Sequence, residues 1–471
     1  MVLFSVCAIL LLSQLTVTAA IGPTAIFWTL LIIIVFFVPY GLVTSELGST
    51  YPDAGGIYAW VVRAFGSRWG TRVSWLYWVN VAIWVPSVYL MFSGAVSSMF
   101  FGGNLTFWVQ VAIAVVLIWI NFWVNVRGLG TGTWVSNVGA GITALVIGII
   151  GVSGVVYALQ NGSATTWSLD SILPQDAPSA MALAIPVILY NFLGFELMSS
   201  ASPQMANPKR DVPRTIAAAG LLIGGFYLVA TVGMQLLIPA DQISKTTGLI
   251  DVLNKGLGTS DVARAAVTIL GIGSLFCFFA ALIPWTIGAN LSAAEAGNRG
   301  SLPKVFGRTH SKLGTPVGAA MLCSVVGTLV TVGFAALDSL TNGAVDNLFW
   351  QLFAFSSLIF LLPYVVMMLA FRKLRRSDSD RPRPYRVPGG IVVAEAVSWL
   401  SVVVLVIAAV LFTVNPWSFD PGVTFPILVG LAITLVIQEI FCHMSPRWSR
   451  LRAVERGEEV APATNLSPNL S

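Results

Sequence analysis

Residues 185–216 read IPVILYNFLGFELMSSASPQMANPKRDVPRTI, an apolar run that carries the carboxylate of Glu196 and ends in the charged cluster Lys209, Arg210, Asp211 and Arg214. An ionisable side chain near a bilayer midplane costs about 2.5–3.5 kcal/mol on insertion scales, so its presence there points to a function. Buried without a cation, Glu196 is expected to bind and release protons at working pH. The plainer reading is a protonated glutamate hydrogen-bonded to a neighbouring helix for packing. Pro186 and Gly194 bracket the region. A backbone opened there frees carbonyl and amide groups at membrane depth, which is tolerated only where they line a cavity.

The rest of the chain supplies the membrane that this reading needs. Of 471 residues 56% are hydrophobic and 10% charged, with a mean hydropathy of +0.84, which excludes an ordinary soluble domain. Apolar runs of spanning length lie near 3–24, 26–45, 75–100, 107–126, 134–158, 180–202, 215–239, 262–297, 316–336, 347–371, 391–414 and 423–443, giving an expectation of about twelve spans. Glu46, Glu295, Glu395 and Glu439 fall nearer the span ends, where water is expected to reach them.

Basic residues divide sharply between alternate loops. One set holds Arg63, Arg68 and Arg72, then Arg127, Lys209, Arg210 and Arg214, then Arg299, Lys304, Arg308 and Lys312, then the dense run from Arg372 to Arg386, then Arg447 to Arg456. The other set holds only Lys245, Lys255 and Arg264. By the positive-inside rule both termini are cytoplasmic. The opening run MVLFSVCAILLLSQLTVTAA ends in small residues as a signal peptide does but lacks a basic n-region, so it is read as a retained span, with a cytoplasmic leader expected ahead of it.

Several chemistries are thereby excluded. Cys7, Cys277, Cys323 and Cys442 all sit in apolar runs without a CxxC pair and imply neither disulfide nor zinc. A membrane enzyme would need a nucleophile and base within reach, yet the two histidines, His310 and His443, lie in or beside cytoplasmic segments. No phosphate-binding G-x-x-x-x-G-K-[ST] loop occurs, which argues against drive by ATP. The net charge of +5 is accounted for by loop placement, so no nucleic-acid partner is implied, and no cofactor. The run FRKLRRSDSDRPRPYR could touch anionic membrane lipid, although the retained side of a membrane protein explains it as well.

In the first span Thr16, Thr18, Gly22 and Pro23 form a second weak point, so two interrupted helices are expected about five spans apart, at corresponding places in two halves. That arrangement points to a transporter of inverted repeats with its site at the midplane. Trp84, Tyr89, Tyr190, Phe195 and Trp285 cluster beside the same segments and could close over a solute, although most tryptophans in such a chain are anchors or packing.

Three motifs then resemble those of the amino acid, polyamine and organocation permeases. SELGSTYPDAGGIYAWVVRAFGSRWG at 45–70 is similar to the loop after that family's second span, FLGFELMSSASPQMANPKRDVPRTI at 192–216 to its sixth-span signature, and RPYRVPGG at 383–390 to the stretch before its eleventh. GSRWG followed by SWLYWVNVAIWVPSVYL, and ALIPWTIGANLSAAEAGNRGSLP, look most like bacterial glutamate/γ-aminobutyrate antiporters. The chain departs from the pattern in LTVTAAIGPTA, which lacks the Gly-Ser-Gly type of segment, and in Pro203-Gln204, where an acid is common.

The resemblance implies an all-α polytopic membrane protein of the LeuT-like kind, a 5+5 inverted repeat plus two C-terminal helices. The repeats would occupy 1–158 and 180–372, the closing pair 391–443, and a disordered cytoplasmic tail 445–471. It implies exchange of an amino acid across the plasma membrane by alternating access. Thr18, Ala19, Ala20, Gly22, Tyr190, Asn191, Gly194, Phe195 and Trp285 would contact substrate, and Glu196 would couple to protons. With one clear intramembrane carboxylate a zwitterion is favoured over a polycation. Symport with a proton or cation, and a sensor that binds without transporting, stay open.

Overall fold

The computed structural model describes residues 2–52, 55–174, 177–197, 207–244, 247–339, 345–413 and 421–455. Among them every regular element is helical. In chain order these are α1 (Val2–Ile9), α2 (Leu12–Ala19), α3 (Thr24–Ile32), a π-helical turn (Ile33–Phe37), α4 (Val38–Thr50), α5 (Ile57–Phe65), α6 (Ser67–Phe101), α7 (Phe107–Arg127) and α8 (Leu129–Asn161). They continue as α9 (Leu169–Ile172), α10 (Ala177–Asn191), α11 (Pro208–Leu237), α12 (Gly248–Leu257), α13 (Asp261–Asn298), α14 (Val317–Ser339), α15 (Val345–Ser377), α16 (Gly390–Thr413) and α17 (Pro421–Glu455).

Ten of these stretches are long and apolar enough to cross a membrane, the first formed by α3, the π turn and α4 together. A spanning helix keeps its backbone bonds within itself, which is why apolar runs of this length take no other form in lipid. The first expected span divides into two eight-residue helices, α1 and α2, and the sixth is represented by α10, after which residues 198–206 lie outside the described residues. The polytopic all-helical fold is therefore as expected. The last span runs on as helix to Glu455, so residues 445–455 are not the loose tail anticipated, and 456–471 lie outside the described residues.

α6 and α15 are the most deeply buried spans and pack along one another, and α13 packs against α6 as well. α11 lies against α4 and α8, while α1 is enclosed by α8, α11 and α13. Exposed Leu221, Leu329, Val403 and Val436 lie on the outward faces of α11, α14, α16 and α17, as lipid contact requires.

The loops rich in Lys and Arg meet at one end of the bundle. Arg72 clamps Glu439 through two bonds of 2.8 and 2.9 Å, Thr315 Oγ1 donates to the Val126 carbonyl at 2.8 Å, and Tyr58 and Ser301 hydroxyls lie 3.1 Å apart. Tyr51 donates to Asp378 at 2.9 Å, between Arg63 and Arg381 stacked on its ring. Burial pushes the Tyr51 hydroxyl up to about 12, so it remains a donor at physiological pH. Glu46 departs from expectation. Instead of reaching water it is 1% exposed, ion-paired to Arg375 at 2.5 Å and to Arg383 at 3.5 Å, and it accepts from Val387 N at 2.7 Å. A buried carboxylate needs such partners, and here they come from the last turn of α15 and from the loop that leads to α16.

Candidate functional site around two helix breaks

The first break lies at Leu10 and Leu11, where Leu11 takes an extended conformation (φ −94°, ψ 112°). This is one to three turns before the weak point expected at Thr16–Pro23. That weak point is the turn joining α2 to α3: α2 ends at Ala19, Ala20 N donates to Thr16 O and Ile21 N to Thr18 O, Gly22 takes φ +95°, and Gln235 Nε2 on α11 ties the carbonyls of Ala19 and Gly22 at 2.9 and 2.8 Å. Thr18, Ala19, Ala20 and Gly22 thus belong to the C-terminal end of α2 and the turn that follows. At the true break Tyr227, from α11, donates to Ile9 O at 3.0 Å and accepts from Leu11 N at 3.3 Å. Trp285, from α13, donates its indole N–H to Ala8 O at 2.7 Å.

The second break follows Asn191. Pro186 sits inside α10 without ending it; the helix gives out only at Phe192–Phe195. Gly194 takes φ +127°, and a Cβ there would come within 2.9 Å of Ile9 and 3.0 Å of Trp285. Glycine at this position is what lets the two broken helices touch. Asn191 completes the junction by donating from Nδ2 to Thr18 Oγ1 at 2.9 Å.

Glu196 stands beside this junction, 1% exposed. Its Oε2 accepts from the Tyr40 hydroxyl of α4 at 2.5 Å, and its Oε1 from Tyr77 of α6 at 2.8 Å and Tyr364 of α15 at 2.7 Å. Tyr40 also accepts from the backbone N–H groups of Gly194 and Phe195 at 3.1 and 2.8 Å. Because those two bonds take the hydroxyl's lone pairs, its hydrogen is committed to Glu196. Tyr77 and Tyr364 can turn from donor to acceptor, so the carboxyl can hold a proton if one of them reverses.

Aromatic rings connect these groups. Trp84 meets Trp285 and Tyr190 with centroids 5.6 and 6.2 Å apart, and Phe360 touches Tyr190, Trp285, Tyr77 and Tyr364. Tyr190 and Trp285 thus belong to one cluster, as expected, whereas Phe195 turns away to stack on Phe37 and Tyr40, and Tyr89 stacks on Phe279. Behind Trp285, on the same α13, Asn290 and Thr286 bond to Asn125 of α7 at 3.2 and 2.8 Å, and Asn290 also accepts from Trp78 at 3.1 Å. Among the described residues no group of three or more His, Cys, Asp or Glu could hold a metal ion.

Sequence reasoning missed Tyr40, Tyr77, Tyr227 and Tyr364. The available signal was that a tyrosine deep in an apolar span needs a partner for its hydroxyl.

Comparison with known proteins agrees with this architecture. The chain is 31% identical over 442 residues to a probable agmatine/putrescine antiporter of Lactococcus lactis, covering 93% of this chain and 92% of that one. It is 28% identical to an uncharacterized transporter of Legionella pneumophila over 88% of this chain and 89% of that one. A probable polyamine transporter of Arabidopsis thaliana is 24% identical over 81% and 73%. The family model described as amino acid permease matches residues 1–437, which takes in both helix breaks and every tyrosine that holds them; the chain belongs to the amino acid permease family.

Proposed function

We propose that this permease exchanges a small amino acid or related amine across the plasma membrane by alternating access, with Glu196 as its proton-responsive group. The observation that carries the reading is the joining of two helix breaks at Gly194 beside a buried carboxyl held by three tyrosines. Interrupted helices at membrane depth expose amide dipoles that favour a substrate carboxylate and carbonyls that favour an ammonium. In this proposal the substrate lies at Leu10–Leu11 and Asn191–Gly194, between Tyr190 and Trp285, and Thr18 to Gly22 contribute through the end of α2. The two halves, 1–158 and 180–372, form the inverted repeat, and the basic end of the bundle faces the cytoplasm with both termini.

Names borne by the relatives bring agmatine, putrescine and polyamines into the substrate panel beside zwitterions. The test is uptake of labelled amino acids, agmatine and putrescine into proteoliposomes that are empty or loaded with the same solutes, without an ion gradient. Uptake that needs internal solute establishes exchange. Uptake into empty vesicles driven by an imposed proton gradient favours symport instead, a reading that Glu196 also supports. Binding without flux under either condition leaves a sensor.

A further inference from the structure

Outside the helix breaks, two cavities join on the flank of the bundle. One is an apolar groove of about 570 Å³ between the π turn, α4 and α11, lined among others by Ile33, Val38, Leu42, Phe195, Leu221 and Gly225. The other, of about 600 Å³ at the basic end, is lined by Asn207, Lys209, Arg210, Arg214 and Pro384. They share Pro213, Ala217 and Tyr385, so one leads into the other.

The groove opens toward lipid. Leu221 is 81% exposed and Val38 51% exposed along its rim, and a Cβ on Gly225 would meet nothing within 4 Å. At its basic end Lys209, Arg210 and Arg214 are exposed and form no ion pair among the described residues. The neighbouring acid, Asp211, accepts from Asn207 N at 3.2 Å, and no ion pair joins it to them. Three unpaired cations at the membrane surface, above an apolar slot that runs into the bilayer, match a molecule with an anionic head and a hydrocarbon tail.

We propose that this flank binds one anionic phospholipid of the leaflet at the basic end, its phosphate among Lys209, Arg210 and Arg214 and an acyl chain in the groove between α4 and α11. The site is separate from the substrate reading and does not depend on it. It is not remote, however. The groove's inner wall includes Phe195, whose N–H bonds the same Tyr40 hydroxyl that holds Glu196, so an acyl chain there packs against the second helix break.

The test uses the full chain in neutral detergent and reads its thermal midpoint with added phosphatidylglycerol, phosphatidylcholine or glycerol phosphate, each variant measured against its own lipid-free midpoint. Phosphatidylglycerol is expected to raise the midpoint and phosphatidylcholine to raise it far less, with the difference shrinking as salt is added. The increment should vanish in Lys209→Gln/Arg210→Gln/Arg214→Gln and fall in Gly225→Trp, which fills the groove from an open position. Equal effects of the two lipids, an undiminished effect in the triple variant, or the full effect from glycerol phosphate alone would each overturn the proposal. An undiminished effect in Gly225→Trp would remove the acyl-chain half of it.

Discussion

The two helix breaks are each braced by a tyrosine hydroxyl and differ in where that hydroxyl sends its hydrogen. At Leu10–Leu11 a tyrosine from α11 accepts from a backbone N–H and gives its hydrogen to a backbone carbonyl. At Gly194–Phe195 a tyrosine from α4 accepts from two backbone N–H groups and gives its hydrogen to Glu196. The first brace ends on a backbone carbonyl, which takes up no proton. The second ends on a carboxyl, so proton uptake can act on that break and has no handle on the other. In the proposed cycle pH can therefore bear on one break alone, while the other, held by the Trp285 indole as well as by Tyr227, carries no carboxyl.

Breaking the braces one at a time tests this, and the largest effect should come from Tyr40→Phe. It leaves two buried N–H groups without a partner and takes one of three donors from Glu196, a loss of about 3–5 kcal/mol at 1–3 kcal/mol per orphaned group. The measure is the unfolding midpoint in detergent, and a loss no greater than that of Tyr157→Phe, at a half-buried tyrosine away from both breaks, would refute the brace. Gly194→Ala should follow, at about 2–4 kcal/mol, because its φ is costly for alanine and its Cβ strikes Ile9 and Trp285. Pairing it with Ile9→Ala should recover part of the loss; no recovery would mean that the two breaks do not press on one another.

Tyr227→Phe is expected to cost about 2 kcal/mol, since one N–H and one carbonyl are released. Its stability loss should be the same at every pH, whereas that of Tyr40→Phe should vary as Glu196 gains or loses its proton. Parallel pH profiles for the two variants would erase the distinction drawn between the breaks. Tyr77→Phe and Tyr364→Phe each remove one of two donors to the same oxygen and should cost about 1 kcal/mol. Glu196→Gln should disturb folding least, because its amide oxygen can accept from Tyr40 while its NH2 donates to Tyr77 and Tyr364 once those hydroxyls turn. In the transport assay it should nonetheless flatten the pH dependence, and an unchanged profile would return Glu196 to a packing role.

Much of this was legible in the order of residues. Apolar runs fix where the chain crosses the membrane, and the Lys and Arg distribution marks one end, because both follow from transfer free energies that act residue by residue. Glu196 stood out for the same reason. The position of the first break did not, since Leu10 and Leu11 carry no Gly or Pro flag and their opening is held by Tyr227 and Trp285, more than two hundred residues away. Glu46 was misread in the same way. Its acidity suggested water, while its partner Arg375 lies 329 positions along the chain. Features set by one residue's own chemistry can be read directly, and those set by a distant partner need the fold.

The π-helical turn at Ile33–Phe37 has a consequence for insertions and deletions. A π turn holds one residue more than the α-helix around it, and losing one residue lets such a segment relax into plain α-helix. The span would remain long and apolar, and the residues after the turn would keep nearly the same facing relative to those before it, because the extra residue of the π turn is the one that is lost. Tyr40 stands three residues beyond the turn, so a one-codon deletion within the turn should leave its hydroxyl facing Gly194, Phe195 and Glu196. The same deletion in the plain α-helix of α6 ahead of Tyr77 should instead swing that hydroxyl about 100° around the axis and off Glu196, so in this protein a π turn tolerates a loss of length that a regular span does not.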